Sequence, residues 1–387
     1  MNEGKSLRFN LTNLSGAQKR LGSWPLPHMR KMKIPIRITN TIAFTLLLIL
    51  INCSCNQYNK GSSGTTFADN WKFVGVAVEE PGYTIWGTSP IVGNDGKVHL
   101  FVARWPCELK VDPGWRSHSE IAHYVGEKPE GPFSFSDVAI QGTDSNTWDK
   151  YGTSNPAIHR VGNKFILLYI ANNNPKQPPH PSNQKIGMAI ADSPYGPWKR
   201  VGEDGLILST PTNEEYWNYE AGNGVNNPAL LQHPEGGYFL YYKSEKAKMG
   251  LAIAENIEGP YVQFPSPVTT NDIAIEDGYA FVFNEKIALL TTDNHGIIEE
   301  GGGILWTSDN GIQFNNYEQG FKRINDYTQV DMSKVAVHYG PANRKYAKFE
   351  RPQVLMLDGK PSYLYVPSGT NLYGGDCTIS YILKFVK

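Results

Sequence analysis

Residues 226–261 read NNPALLQHPEGGYFLYYKSEKAKMGLAIAENIEGPY. An apolar run opens at Asn226-Asn227-Pro228-Ala229, a Gly-rich turn reverses the chain, and a Phe/Leu/Tyr run returns. A third apolar run then stops at Gly259-Pro260-Tyr261. Runs this short, punctuated by Gly and Pro, read as a meander of antiparallel strands. The opening half of the unit recurs as Thr88-Ser89-Pro90-Ile91 before KVHLFVARW and as Ser154-Asn155-Pro156-Ala157 before KFILLYIAN. It recurs again as Glu276-Asp277-Gly278-Tyr279 before KIALLTTDN and Glu350-Arg351-Pro352-Gln353 before PSYLYVPSG. The closing half recurs as IAHYVGEKPEGPF and IGMAIADSPYGPW, with ILWTSDNGIQF as a looser copy. Five copies repeating every 65 residues or so, each with three to four strands, specify an all-β chain folded as a five-bladed β-propeller. A β-sandwich explains the strands but not a period of this length.

Composition agrees. The 387 residues are 12% aromatic and 19% charged, with a net charge of −1. A near-neutral chain lacks the clustered Lys and Arg that release counterions from nucleic acid. Abundant aromatics at low net charge argue against disorder. No HExxH, Cys₄, P-loop or GxSxG pattern occurs, so no metal or cofactor is expected and metalloprotease, nucleotide and serine-hydrolase readings have no anchor.

The N-terminus reads as an address. Ile42 to Ile51 is an apolar stretch too short to span a bilayer, preceded by Arg30, Lys31, Lys33 and Arg37. Leu50-Ile51-Asn52-Cys53 is similar to a lipoprotein signal, with Cys53 as the lipidated residue and Cys55 as its competitor. Cleavage without lipidation is the alternative. The expected organisation is an extension and signal over 1–55, a linker over 56–70, and a propeller over 71–387. The expected location is the bacterial cell surface or periplasm, or secretion, with membrane contact only through the lipid. Export would let Cys107 and Cys377 pair, clamping the start of the domain to its end; the alternative is two free buried thiols.

In a propeller, the starts of the first strands and the ends of the second strands converge on one funnel mouth. The starts offer Ser89, Asn155, Asn227, Glu276 with Asp277, and Glu350 with Arg351. The ends offer Arg104 with Trp105, Asn172 with Asn173, Lys243 with Glu245, Asp293 with His295, and Ser368. Glu276, Asp277, Asp293 and Glu350 could supply two carboxyls in unlike environments, as acid/base cleavage of a glycosidic bond requires, with His295 as another proton donor. Arg104, Arg116, Lys243, Arg351 and His118 would orient substrate or recognise an anionic sugar. Trp86 and Trp105 could stack on sugar rings, with Trp115 a further candidate. Plainer roles stand beside these: Glu350-Arg351 as a structural ion pair, Asn155 and Asn227 as turn residues, His123 as a structural histidine, and the tryptophans as core.

Arg104-Trp105-Pro106, Ser117-His118-Ser119-Glu120-Ile121-Ala122-His123, Asn155-Pro156-Ala157-Ile158-His159, the segment ADSPYGPW at 191–198, and Glu276-Asp277 together resemble glycoside hydrolases of the family 43 type, near its divergent neighbour family 117. The resemblance spans the chain after the signal. It implies a propeller that hydrolyses terminal sugars from plant or algal polysaccharide fragments. Family 43 members carry Asp, Asp and Glu at the starts of blades one to three, where this chain has Ser89, Asn155 and Asn227, so that triad does not transfer. By resemblance to family 117, His295 is a candidate acid. Glu79, Glu80, Asp149 and Glu220 are possible substitutes. The rival readings are a non-catalytic glycan-binding propeller and a lyase or phosphorylase using the same funnel.

Overall fold

The computed structural model describes residues 65–174, 183–335, 347–368 and 377–386, with the backbone of 338–339 and 345–346. Cys53, Cys55 and the signal lie outside the described residues.

The first strand, β1 (Trp71–Val78), stands apart from its successors and joins the last blade; four blades then follow in chain order. Blade 1 holds β2 (Tyr83–Val92), β3 (Val98–Pro106), β4 (Glu120–Gly126) and β5 (Ser134–Ile140). A short helical segment, α1 (Val111–Ser117), follows β3. Blade 2 holds β6 (Tyr151–Val161), β7 (Lys164–Asn172), β8 (Lys185–Ala191), β9 (Lys199–Arg200) and β10 (Leu206–Leu208). Blade 3 holds β11 (Asn226–Gln232), β12 (Tyr238–Lys243), β13 (Met249–Ala254) and β14 (Val262–Gln263). Blade 4 holds β15 (Glu276–Phe283), β16 (Lys286–Asp293), β17 (Gly302–Ser308) and β18 (Asn316–Phe321). After the small pair β19 (His338–Tyr339) and β20 (Lys345–Tyr346), blade 5 takes β21 (Gln353–Leu357), β22 (Lys360–Pro367) and β23 (Ser380–Phe385). Its fourth strand is β1, antiparallel to β23 from Trp71↔Phe385 to Val78↔Ser380. Pairing an early strand with the last one closes the ring and removes a sheet edge.

A second fastening crosses the same junction. Cys107, just past β3 of blade 1, forms a disulfide with Cys377, just before β23 of blade 5, with Cα atoms 5.4 Å apart. The folded body also begins earlier than the linker expected over 56–70. Phe67–Asn70 form a 3₁₀ turn, and Phe67 is buried with its ring 5.7 Å from that of Trp71.

The core is five cores, one between each neighbouring pair of blades. In β7, Phe165, Leu167 and Tyr169 pack toward Phe101 and Ile121 of blade 1, and Ile166, Leu168 and Ile170 toward Leu230, Leu240 and Tyr242 of blade 3. Each second strand is thus buried on both faces, which is why it reads as a continuous apolar run rather than a half-polar alternation. The Gly-Pro-aromatic turns end the third strands with Gly131, Gly196 and Gly259 at φ of +77°, +81° and +95°, a backbone that glycine adopts freely.

Candidate functional site

Every blade bends at the start of its first strand. One extra residue interrupts the pairing between Trp86 and Ser89, Ser154 and Ala157, Asn226 and Ala229, and Glu276 and Tyr279. Each bulge places a residue in the left-handed region: Gly87 (φ +56°), Asn155 (+49°), Asn227 (+52°) and Asp277 (+57°); Arg351 (+46°), ahead of β21, takes the fifth place. Gly87 therefore holds the position that the proline spacing assigned to Ser89. Pro90 follows its bulge by three residues, whereas Pro156 and Pro228 follow theirs directly. Ser89 instead binds Gln353 Oε1 at 2.9 Å and accepts from Ile158 N, lower in the blade.

The five bulge residues meet on the axis. Arg351, fully buried, reaches across it: Nη2 donates to Asn155 O at 2.9 Å, and Nη1 lies 3.6 Å from Asp277 Oδ1. Gly87 has no side chain because that stem fills its space; a Cβ there would sit 3.3 Å from Arg351 Nε. Asp277 Oδ2 also accepts from Arg351 N and Thr292 Oγ1, both at 3.3 Å. Asn155 Nδ2 donates to Asn227 Oδ1, and Trp86 Nε1 donates to Asn155 Oδ1 at 3.0 Å.

Carboxylates and lysines sit around this ring. Lys243 Nζ bonds Glu276 Oε1 at 2.6 Å, and Lys348 Nζ bonds Glu350 Oε1 at 2.6 Å. Glu276 is the more open carboxylate, its side chain 35% exposed against 6% for Glu350 and 3% for Asp277. Burial, reinforced by the charges of Glu276 and Glu350, pushes the Asp277 carboxyl up to about 6 despite Arg351. Burial opposes ionisation of Glu276 too, but Lys243, Lys348 and His295 outweigh it and hold that carboxyl below its usual value. Burial also lowers Arg351, to about 10, so it remains a cation at neutral pH.

The structure thus brings together Glu276, Asp277, Glu350, Arg351, Lys243, Asn155, Asn227 and Trp86, with His295 close enough to act electrostatically on Glu276. Other expected residues lie elsewhere or are already committed. Asp293 is buried, and its two oxygens accept four backbone N–H groups, from Gly296, Ile297, Ile298 and Glu299, so it shapes that loop. Arg104 faces away from the funnel, held by Glu80 at 2.7 Å and Glu120 at 2.9 Å between the rings of Tyr83 and Phe135. Trp105 is core, its indole pressed on Gly114. Arg116 is buried and doubly bonded to Asp112. His118 is exposed beside Ser117 Oγ. Of the proposed substitutes, Glu80 is taken by Arg104 and Asp149 by Arg200. Sequence reading missed Gly87, Thr292 and Lys348. Only Lys348, two residues before Glu350 in a strand-like stretch, carried a usable signal.

These features define a five-bladed β-propeller with an ionisable axial site. Solved structures share that fold. Zg3597, a family 117 glycoside hydrolase produced by the marine bacterium Zobellia galactanivorans, is 17% identical with a TM-score of 0.57, covering 81% of this chain and 90% of its own. CoXyl43, a family 43 β-xylosidase/α-arabinofuranosidase from a compost microbial metagenome, solved with xylotriose, is 14% identical with a TM-score of 0.51, covering 81% and 94%. BT0996, solved as an RGII complex, is 11% identical with a TM-score of 0.58, covering 82% and 92%. No family model and no curated relative matches the sequence.

Proposed function

We propose that this chain is an exported glycoside hydrolase acting on terminal sugars of plant or algal oligosaccharides, anionic ones included. The observation that carries the reading is Glu276, a partly open carboxylate at the axial ring whose Oε1 lies 2.6 Å from Lys243 Nζ. Glu276, the most open carboxylate of the site and kept ionised by Lys243, takes the proton from the attacking water. His295, whose charge bears on Glu276, gives a proton to the leaving oxygen. Asp277 touches neither; it positions Arg351 and sets the local charge. Trp86 and Lys243 hold the sugar. The fold shared with family 117 and family 43 hydrolases supports this reading, as does the disulfide, which suits an oxidising compartment.

The test is incubation with plant and algal oligosaccharides, read for new reducing ends, with Glu276→Gln as the control. An unsaturated product instead would mean a lyase, and dependence on phosphate a phosphorylase. One observation favours a second reading. At their bulges, blades 1 to 3 present Gly87, Asn155 and Asn227, none of them an acid, which suits a glycan-binding propeller. Binding without turnover, unchanged by Glu276→Gln, would establish it.

A further inference from the structure

The two ring asparagines are linked in a chain whose polarity is set by chemistry. An indole N–H donates and never accepts, so Trp86 Nε1 at 3.0 Å obliges Asn155 to present Oδ1 to it. Asn155 must then aim Nδ2 at Asn227, and Asn227 must meet it with Oδ1. The orientation of a side-chain amide is ordinarily ambiguous, but here one tryptophan fixes two. What remains is Asn227 Nδ2. It bonds no described residue, and Asn227 as a whole is only 4% exposed.

We propose that Trp86 and Asn155 are positioning residues that hold Asn227 as a donor-only binding group, so that the funnel selects a sugar bearing an oxygen acceptor at that point. The proposal rests on the carbohydrate reading above. Backbone conformation alone does not account for the arrangement. Asparagine suits a positive φ, but so does glycine, and Gly87 fills the equivalent bulge in blade 1. Asn227→Gly therefore keeps the bulge and deletes the donor, together with the oxygen that meets Asn155 Nδ2. Asn155→Asp goes further. It still accepts from Trp86 but offers Asn227 only acceptors, so Asn227 turns Nδ2 toward it and exposes Oδ1 instead. The volume is unchanged and the selected group is inverted.

The full chain is assayed on 4-nitrophenyl β-D-xyloside, α-L-arabinofuranoside and both galactosides, then on the monodeoxy and monodeoxyfluoro forms of whichever is cleaved. One deoxy position should cost wild type about tenfold or more in kcat/KM, the loss expected for an unpaired buried donor, with the fluoro form intermediate. Asn227→Gly should lose a similar factor on the parent glycoside and no longer distinguish it from the deoxy form; a lower melting temperature, from the acceptor lost to Asn155, leaves that comparison intact. Asn155→Asp should discriminate most strongly against the fluoro form, which cannot donate. Separately, side-chain amide NMR should show the Asn227 NH₂ exchanging freely with solvent in wild type and protected in Asn155→Asp. Wild-type turnover by Asn227→Gly, or a protected Asn227 amide in the native chain, overturns the proposal. Failure of wild type on every glycoside defeats the hydrolase reading and the sugar selection that rests on it, and the NMR arm then decides the orientation of the relay by itself.

Discussion

Replacing Asp277 by asparagine isolates the cost of the charge on the axis. In the folded protein its carboxyl rises from the usual 3.8 to about 6, chiefly through burial. Between those values the folded chain keeps a proton that the unfolded chain has released, so stability falls as pH rises through that window. The rise corresponds to about 3 kcal/mol, complete once the pH passes the folded value. The asparagine of the variant cannot ionise, and its side-chain oxygen still accepts from Arg351 N and Thr292 Oγ1. Arg351 does lose its carboxylate neighbour, but it stays charged across the window, so that loss is a nearly constant offset. The offset cancels when the difference between the two proteins is followed against pH. Urea unfolding by tryptophan fluorescence at intervals from about pH 4 to 7.5 should show wild type losing about 3 kcal/mol relative to Asp277→Asn. A difference that stays flat over that range would refute the placement of Asp277 in a buried, anion-crowded site.

Glu276→Gln should lower turnover by about a thousandfold with little change in stability, since its carboxylate is partly open; residual activity near wild type in a kcat measurement would remove it from the mechanism. Arg104→Leu should leave kcat within about twofold but cost about 3–5 kcal/mol, because it strands Glu80 and Glu120 beside a buried gap, and a large kcat loss in a stable variant would return Arg104 to the site. Cys107→Ser with Cys377→Ser should lower stability by about 2–4 kcal/mol in urea unfolding, with no such effect if the pair is reduced in the active protein. Gly87→Ala should destabilise by about 1–3 kcal/mol by calorimetry, from the strained φ and contact with Arg351.

The repeats NNPA, SNPA and EDGY marked the first-strand starts but not the bulges that the structure shows there, although asparagine and aspartate are residues that tolerate a left-handed backbone. The proline spacing misled at blade 1. Proline marked the repeat there, but proline reports the strand following the bulge and not the bulge itself, so Ser89 stood in for Gly87. Arg104 and Asp293 carried the right chemistry at the right strand ends. Their fates turned on partners distant in the chain or on backbone N–H groups, neither of which a residue type reveals.

The chain's own pattern of short apolar runs, Gly-Pro turns and a fivefold period was sufficient for the all-β propeller, because strand length and turn chemistry are local properties of residues. It also located the acidic side of the funnel, blades 4 and 5. Tertiary structure alone decided which polar groups work together. Arg351 crosses the axis to blades 2 and 4, Trp86 of blade 1 orients an amide in blade 3, and Lys348 answers Glu350. Those pairings form only when five separate bulges are brought to one point, where removal from water makes a hydrogen-bond donor or a neighbouring charge decisive.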